Sequence, residues 1–198
     1  MEVMELYIAV REKEGRLYTD EEVRRLPNSS RHPDEWKIRR QTAEALRKAL
    51  KGKNVLEIGC GNGWLTNYLD ATGVDINEFE LEQAKRVFGD RFILGDLCAL
   101  SGKKYDSIIF AASIQYFKNL EIIKKALEIA AEVHIVDSCF YPHHLTAEAA
   151  QRSRTYYESL GFPEMADYYF HHSLDDLKPF NYKILKDKKP FYWIKITK

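Results

Sequence analysis

Cysteine is scarce in this chain: Cys60, Cys98 and Cys139 are the only three in 198 residues, widely spaced and odd in number. They make neither a disulfide framework nor a zinc pattern, which points to a reducing, cytoplasmic compartment. Net charge is absent as well, with 30 Lys plus Arg against 30 Asp plus Glu. A protein that works on the nucleic-acid backbone brings a basic surplus, so nucleic acid is not the expected partner. No stretch approaches the roughly 20 apolar residues of a membrane helix. The start, Met1-Glu2-Val3-Met4-Glu5, lacks the basic segment and apolar run of a secretory signal. There is no internal repeat, low-complexity tract or dividing linker. What remains is 45% apolar and 30% charged, a globular balance in a chain sized for one domain. The one local surplus, seven lysines against Asp187 between Lys178 and Lys198, reads as a solvated edge hairpin.

Residues 1–35 are charged and broken by Pro27-Asn28-Ser29-Ser30, and they read as a lid-like extension ahead of a main domain at 36–198. Pro33, followed by Asp34-Glu35, opens a helix that carries Ala43, Leu46, Ala49 and Leu50 at helical spacing and stops at Gly52. Strands are then expected at 54–58, 72–74, 91–94, 105–110 and 133–136, with helices at 63–69, 79–88 and 120–131 between them. That alternation implies parallel strands with crossover helices on both faces. A helix over Thr146 to Leu160 ends at Gly161, and two last strands, 182–185 and 191–196, are joined by Lys186-Asp187-Lys188-Lys189-Pro190. A connection that short forces antiparallel pairing. The expected fold is therefore α/β, a Rossmann-like, mostly parallel sheet ending in an antiparallel hairpin.

The central signal is Glu57-Ile58-Gly59-Cys60-Gly61-Asn62-Gly63, between the first strand and its helix. Glycines there allow a sharp turn and close approach of a ligand to the main chain. A dinucleotide fingerprint requires a third glycine where this chain has Trp64, so the pattern is G-x-G-x-G. Asp75 ends the second strand, where a carboxylate can accept both hydroxyls of a ribose. Asp96 follows the third strand on the same sheet edge, where ligands of open α/β folds bind.

Together, Glu57-x-Gly59-x-Gly61-x-Gly63, Gly73-Val74-Asp75, Gly95-Asp96-Leu97 and Tyr105-Asp106-x-Ile108 resemble the successive motifs of class I S-adenosylmethionine-dependent methyltransferases, over roughly residues 40 to 137. The resemblance implies a seven-stranded sheet, S-adenosylmethionine as cofactor and S-adenosylhomocysteine as product. It also implies that Glu57, Gly59, Cys60, Gly61 and Asn62 touch the methionine part, Asp75 and Ile76 the ribose, Asp96 and Leu97 the adenine, and Ala112 the methyl-transfer site.

On the acceptor side the residues leave more open. Tyr116, Tyr141 and His143 lie just past strands four and five and are pocket candidates. Tyr156-Tyr157 and Tyr168-Tyr169-Phe170 shape an aromatic pocket or fill core, and Cys139 reads as a small buried hydrophobe. His143-His144 and His171-His172 do not complete a metal set, since adjacent histidines point apart and nothing supplies the remaining ligands. No metal is expected, and no catalytic base is assigned. After strand four, Ala111-Ala112-Ser113-Ile114 lacks the Asn/Asp-Pro-Pro-Tyr motif of exocyclic base methylation. A small-molecule acceptor is the main expectation. A protein or RNA methyltransferase and a non-catalytic S-adenosylmethionine-binding protein are the alternatives, and the oligomeric state is not legible.

Overall fold

The computed structural model describes residues 2–100, 102–189 and 191–198. In chain order the elements are α1 (Val3–Lys13), α2 (Asp20–Arg25), α3 (Pro33–Ala49), β1 (Val55–Ile58), α4 (Trp64–Tyr68), β2 (Thr72–Asp75), α5 (Glu78–Phe88), β3 (Phe92–Leu94), β4 (Tyr105–Ala111), α6 (Glu121–Ile129), β5 (Ala130–Val136), β6 (Phe140–Tyr141), α7 (Thr146–Leu160), β7 (His172–Ser173), β8 (Asn181–Lys188) and β9 (Phe191–Thr197). Seven strands form one sheet in the order β3-β2-β1-β4-β5-β9-β8, while β6 and β7 make a separate parallel pair. β1 to β5 are mutually parallel, and β9 runs antiparallel to both β5 and β8. The expected mostly parallel sheet with its terminal hairpin is what the chain forms.

The central strands are buried on both faces, so they read as continuous apolar runs rather than alternating ones. Ile108, Phe110, Val133 and Ile135 pack with Ile123 and Ala126 of α6 on one side. Ile109, Val136 and Val55 pack with Trp36, Ala43 and Leu46 of α3 and Leu65 of α4 on the other. Helices cover both faces, and all five parallel strands deliver their C-terminal ends to one edge.

Three local differences from the expectation have physical causes. α6 stops at Ile129 rather than Ala131, because Ala130 already pairs with Tyr105 and Glu132 with Ser107. Two alanines suit a helix by propensity, but the ladder with β4 overrides it. β8 continues through Lys186 to Lys188, with a register shift between Ile184 and Lys186, so most of the expected loop is strand. Pro190 of that loop lies outside the described residues. The third difference is that residues ahead of α3 fold into two helices. Thr19 caps α2 reciprocally with Glu22, and α1 turns Leu6 and Val10, one helical turn apart, against Tyr157 and Met165. Among the described residues no helix is long and apolar enough to cross a membrane.

Candidate functional site

A cavity of about 590 Å³ opens at the C-terminal edge of the sheet, within the range typical of small-molecule sites. Its floor is the turn between β1 and α4. Gly59, Gly61 and Gly63 all have left-handed backbone, with φ of 73°, 50° and 76°. The space freed by two missing side chains is taken by protein. A Cβ on Gly59 would stand 2.6 Å from Ser113 Cβ, and one on Gly63 would stand 2.5 Å from the Phe92 ring. Ser113 can approach so closely because its hydroxyl donates to the Ile58 carbonyl at 2.6 Å. These two glycines therefore lock the turn onto β4 and β3, a structural task beyond the ligand clearance read from sequence. Trp64, buried, meets Trp36 edge to face at 5.1 Å, tying α4 to α3 beneath the cavity.

Three carboxylates gather beside this turn. Glu57 is buried in β1, accepts from the Thr66 hydroxyl, and is pushed up to about 8 by burial, with Asp75 adding to the rise. Glu80 is pushed up to about 7, again by burial first, with Arg11 opposing. Asp75 accepts from the Gly61 N–H at 2.7 Å and from the Asn77 N–H at 2.9 Å, and burial raises it too. Among the described residues, Asn77 Nδ2 is buried with no hydrogen-bond partner. A satisfied buried amide is the rule, and this unpaired donor stands next to Asp75, outside the cavity lining.

The roof comes from α1 and α3. Tyr7, Val10 and Arg11 of α1 and Glu14 at its C-terminal end line the cavity, as do Glu35, Trp36, Ile38 and Arg39 of α3. Arg16 holds Glu35 through two short hydrogen bonds of 2.8 and 2.6 Å, and Arg39 holds the same carboxylate at 2.9 Å. Burial works against that carboxylate, yet the paired guanidiniums bring it down to about 2. The third wall is aromatic: Tyr116 after β4, Tyr156 and Tyr157 of α7, and Tyr169. Gln115 joins the walls. Its amide donates to the Ala112 carbonyl at 2.6 Å, its side-chain oxygen accepts from Ser138, and its carbonyl accepts from the Phe170 N–H at 2.7 Å.

Of the residues expected from sequence, Glu57, Gly59, Cys60, Gly61, Asn62, Ala112 and Tyr116 line this cavity. Asp75 stands behind Gly61, and Ile76, just past β2, is 58% exposed. Asp96 is exposed on the same sheet edge, where it caps the following turn by accepting from the Cys98 N–H at 2.8 Å, while the Leu97 side chain is in the core. Tyr141 and His143 do not line the cavity, and nor do Asp75, Ile76, Asp96 and Leu97. Tyr141 sits in β6, its ring 5.9 Å from His171, and His143 is exposed where the chain turns into α7. β6 pairs with β7 and carries this stretch off the sheet edge. Cys139 is half-buried rather than buried, bridged to Phe191. His171 and His172 do take different partners: Ser153 Oγ at 2.9 Å and the Ile114 carbonyl at 3.2 Å. Tyr7 and Arg11 were not legible as site residues. Their signal, a pair four apart beside Leu6 and Val10, shows only once α1 is read as a helix.

Comparison with known proteins agrees with this geometry. A family model described as a methyltransferase domain matches residues 31–157. A malonyl-[acyl-carrier protein] O-methyltransferase of Priestia megaterium is 40% identical over 84 residues, a match that spans 37% of this chain and only 31% of that protein. The magnesium protoporphyrin IX methyltransferase of Synechocystis PCC 6803, solved with bound S-adenosylhomocysteine, superposes with a TM-score of 0.60 at 18% identity, covering 97% of this chain and 94% of that one. A methyltransferase of Thermotoga maritima, described as a possible histamine N-methyltransferase, gives 0.60 at 16% identity, covering 83% and 94%. With its sheet order, its glycine turn and a domain match over more than half its length, the chain belongs to the class I S-adenosylmethionine-dependent methyltransferase family.

Proposed function

We propose that this protein transfers a methyl group from S-adenosylmethionine to a small-molecule acceptor by direct displacement. The observation that carries the reading is one cavity that joins the glycine turn to an aromatic wall. Of the similar proteins, one acts on magnesium protoporphyrin IX, a small molecule, and one on malonyl-[acyl-carrier protein].

The residues present fit the cofactor. Burial raises Glu57, Asp75 and Glu80 towards their neutral forms, and a ligand with a sulfonium and an ammonium group is one whose charge would draw these carboxyls back towards ionisation. The orphaned Asn77 amide offers a donor beside Asp75. In this reading Gly59, Cys60, Gly61 and Asn62 lie along the methionine part with Glu57 beneath. Asp75 and Ile76 take the ribose, Asp96 and Leu97 the adenine, and Ala112 borders the transferred methyl. When bound, the cofactor supplies an electrophilic methyl, so the chain need not build one.

The protein's own work is then positioning, worth several kcal/mol when a nucleophile is held in line. Gln115 fixes the β4 and β5 loops against residue 170, setting the distance between the turn and the aromatic wall. The helices ahead of α3 act as a lid that excludes water from the joint cavity. Calorimetry tests the reading directly. S-adenosylhomocysteine should bind with micromolar or better affinity while NAD gives no heat, and no heat from either would remove the proposal.

A further inference from the structure

The cavity is divided by charge. Its acidic side faces the glycine turn, whereas its α1–α3 side carries guanidiniums. There Arg11 and Arg16 each reach Glu14 at 3.4 Å, and Arg16 and Arg39 share Glu35. Three guanidiniums thus face two carboxylates on this side, which leaves one positive charge over; Glu80, across the cavity, is the further acid whose charge acts on Arg11, and burial holds it towards its neutral form. Asp137 is the other acid near Arg39, and burial holds it towards its neutral form.

The spare charge localises on Arg11. Arg16 and Arg39 are each anchored at 2.6 to 2.9 Å, but the only ion pair of Arg11 among the described residues is the long one to Glu14. Glu14 is further occupied by the Tyr156 hydroxyl at 2.7 Å. Among the described residues, Arg11 Nε is buried with no hydrogen-bond partner. A buried donor left unmade is costly, and guanidinium donors are satisfied best by a planar, two-oxygen anion.

Around this cation stand five tyrosines in edge-to-face sequence. Tyr7 meets Tyr116 at 5.6 Å, Tyr116 meets Tyr169 at 5.8 Å, Tyr169 meets Tyr157 at 6.0 Å, and Tyr157 meets Tyr156 at 5.4 Å. All five line the cavity. Such walls favour a flat, aromatic guest. A tyrosine cage can also attract a cationic guest, but the guanidinium of Arg11 already lies over the Tyr7 ring, 5.8 Å from its centre. A second cation there would be repelled.

We infer that the acceptor is an aromatic monocarboxylate, held by a paired contact of its carboxylate with Arg11 and by its ring against the tyrosines. This deepens the methyl-transfer reading and rests on it. The carboxylate is the handle and another atom takes the methyl, since lone pairs committed to a guanidinium are poor nucleophiles. The methionine carboxylate of the cofactor has the same chemistry, so the test must separate the two sources.

Calorimetry on the full chain saturated with S-adenosylhomocysteine would compare benzoate, 4-hydroxybenzoate, phenylacetate and cinnamate with benzamide and benzylamine. At least one acid should bind, and Arg11→Gln should weaken it tenfold or more, with benzamide affinity unmoved. The affinity of that variant for S-adenosylhomocysteine should stay within twofold. Arg11→Lys, which keeps the charge without the fork, should recover part of the loss, and it carries the test alone if the Gln variant does not fold. The inference is overturned if no acid binds, if benzylamine binds best, or if neither variant weakens the acids. It is also overturned if Arg11→Gln reduces S-adenosylhomocysteine to the affinity of 5′-methylthioadenosine, because the guanidinium would then serve the cofactor. If wild-type protein binds no S-adenosylhomocysteine, the methyl-transfer reading fails by itself, and the acid panel run on the free chain still judges Arg11.

Discussion

Ala112 and Asp137 follow β4 and β5 directly, and both have left-handed backbone, with φ of 52° and 53°. For a residue with a Cβ that conformation costs about 1–2 kcal/mol, and here both residues line the cavity. Ala112→Gly should therefore stabilise the fold by about 1 kcal/mol, raising the melting temperature by about 2–4 °C in a thermal melt. Gly59→Ala should do the opposite. It meets both a positive φ and Ser113 at 2.6 Å, and a loss of about 2 kcal/mol or more should lower the melting temperature by at least about 4 °C.

Glu57 carries a pH dependence whose sign follows from burial. Its carboxyl rises from 4.5 to about 8 on folding, so the folded chain retains a proton that the unfolded chain releases. Stability from this group is complete below pH 4.5 and is lost as pH climbs towards 8. Glu80 acts in the same direction up to about 7. His134 acts oppositely, because burial lowers it from 6.5, so its contribution is complete once pH exceeds that value. Between pH 6.5 and 8 the wild-type melting temperature should fall, and Glu57→Gln should flatten that slope. An equal slope in both would show that Glu57 is ionised in the fold. The Gln oxygen can still accept from Thr66, which keeps the comparison clean.

At the scale of elements, the end of the sheet opposite the cavity is closed by a polar cluster. Glu132 of β5 accepts from Lys53, from Lys195 at 2.5 Å, from Ser107 at 2.6 Å and from His134 at 3.1 Å. The Trp193 indole N–H donates to His134 Nδ1 at 2.9 Å, which leaves the proton on Nε2, facing Glu132. Burial opposes the charge of Glu132, but these hydrogen bonds hold its carboxyl well below the usual range. The cluster therefore stays ionised to low pH, and its contribution is lost only as pH falls below about 4. Glu132→Gln should cost about 2 kcal/mol in a denaturant melt. That is less than the roughly 3–5 of a wholly buried pair, because Lys53 and Lys195 keep about a third of their side chains exposed.

Elements also account for what the sequence revealed and what it hid. β1, β4 and β5 were legible because doubly buried parallel strands leave unbroken apolar runs, as Ile108-Ile109-Phe110 does, and the end of α7 was legible from Gly161. α1 was hidden since it buries only Leu6 and Val10, too few to print a periodic stripe. With α1 went Tyr7 and Arg11. Tyr141 and His143 lie off the cavity for a different reason: closeness to β5 along the chain suggested closeness to its end in space, and two residues of β6 suffice to break that link.

At the scale of the whole molecule, α1 is held by few buried apolar contacts, chiefly Leu6 and Val10 against Tyr157 and Met165. Elements of that kind open locally at low free energy. Hydrogen exchange should show the amides of Val3–Lys13 among the fastest helical ones in the free protein. Saturation with S-adenosylhomocysteine and an acceptor should slow them tenfold or more, with the β1–β4 amides unchanged. Equal exchange with and without ligands would mean that α1 is a fixed wall.

The aromatic wall has one more consequence. Tyr7 and Arg11 precede the segment shared with other methyltransferases, and Tyr169 comes after it, whereas the glycine turn and Asp75 fall inside it. Tyr116, Tyr156 and Tyr157 of the same wall lie inside it, so in the proposed reading the recipient is chosen jointly by the shared stretch and by what flanks it. The flanks can then drift towards new recipients while the shared stretch keeps its single client, and exchanging the flanks between relatives should shift taste without touching appetite.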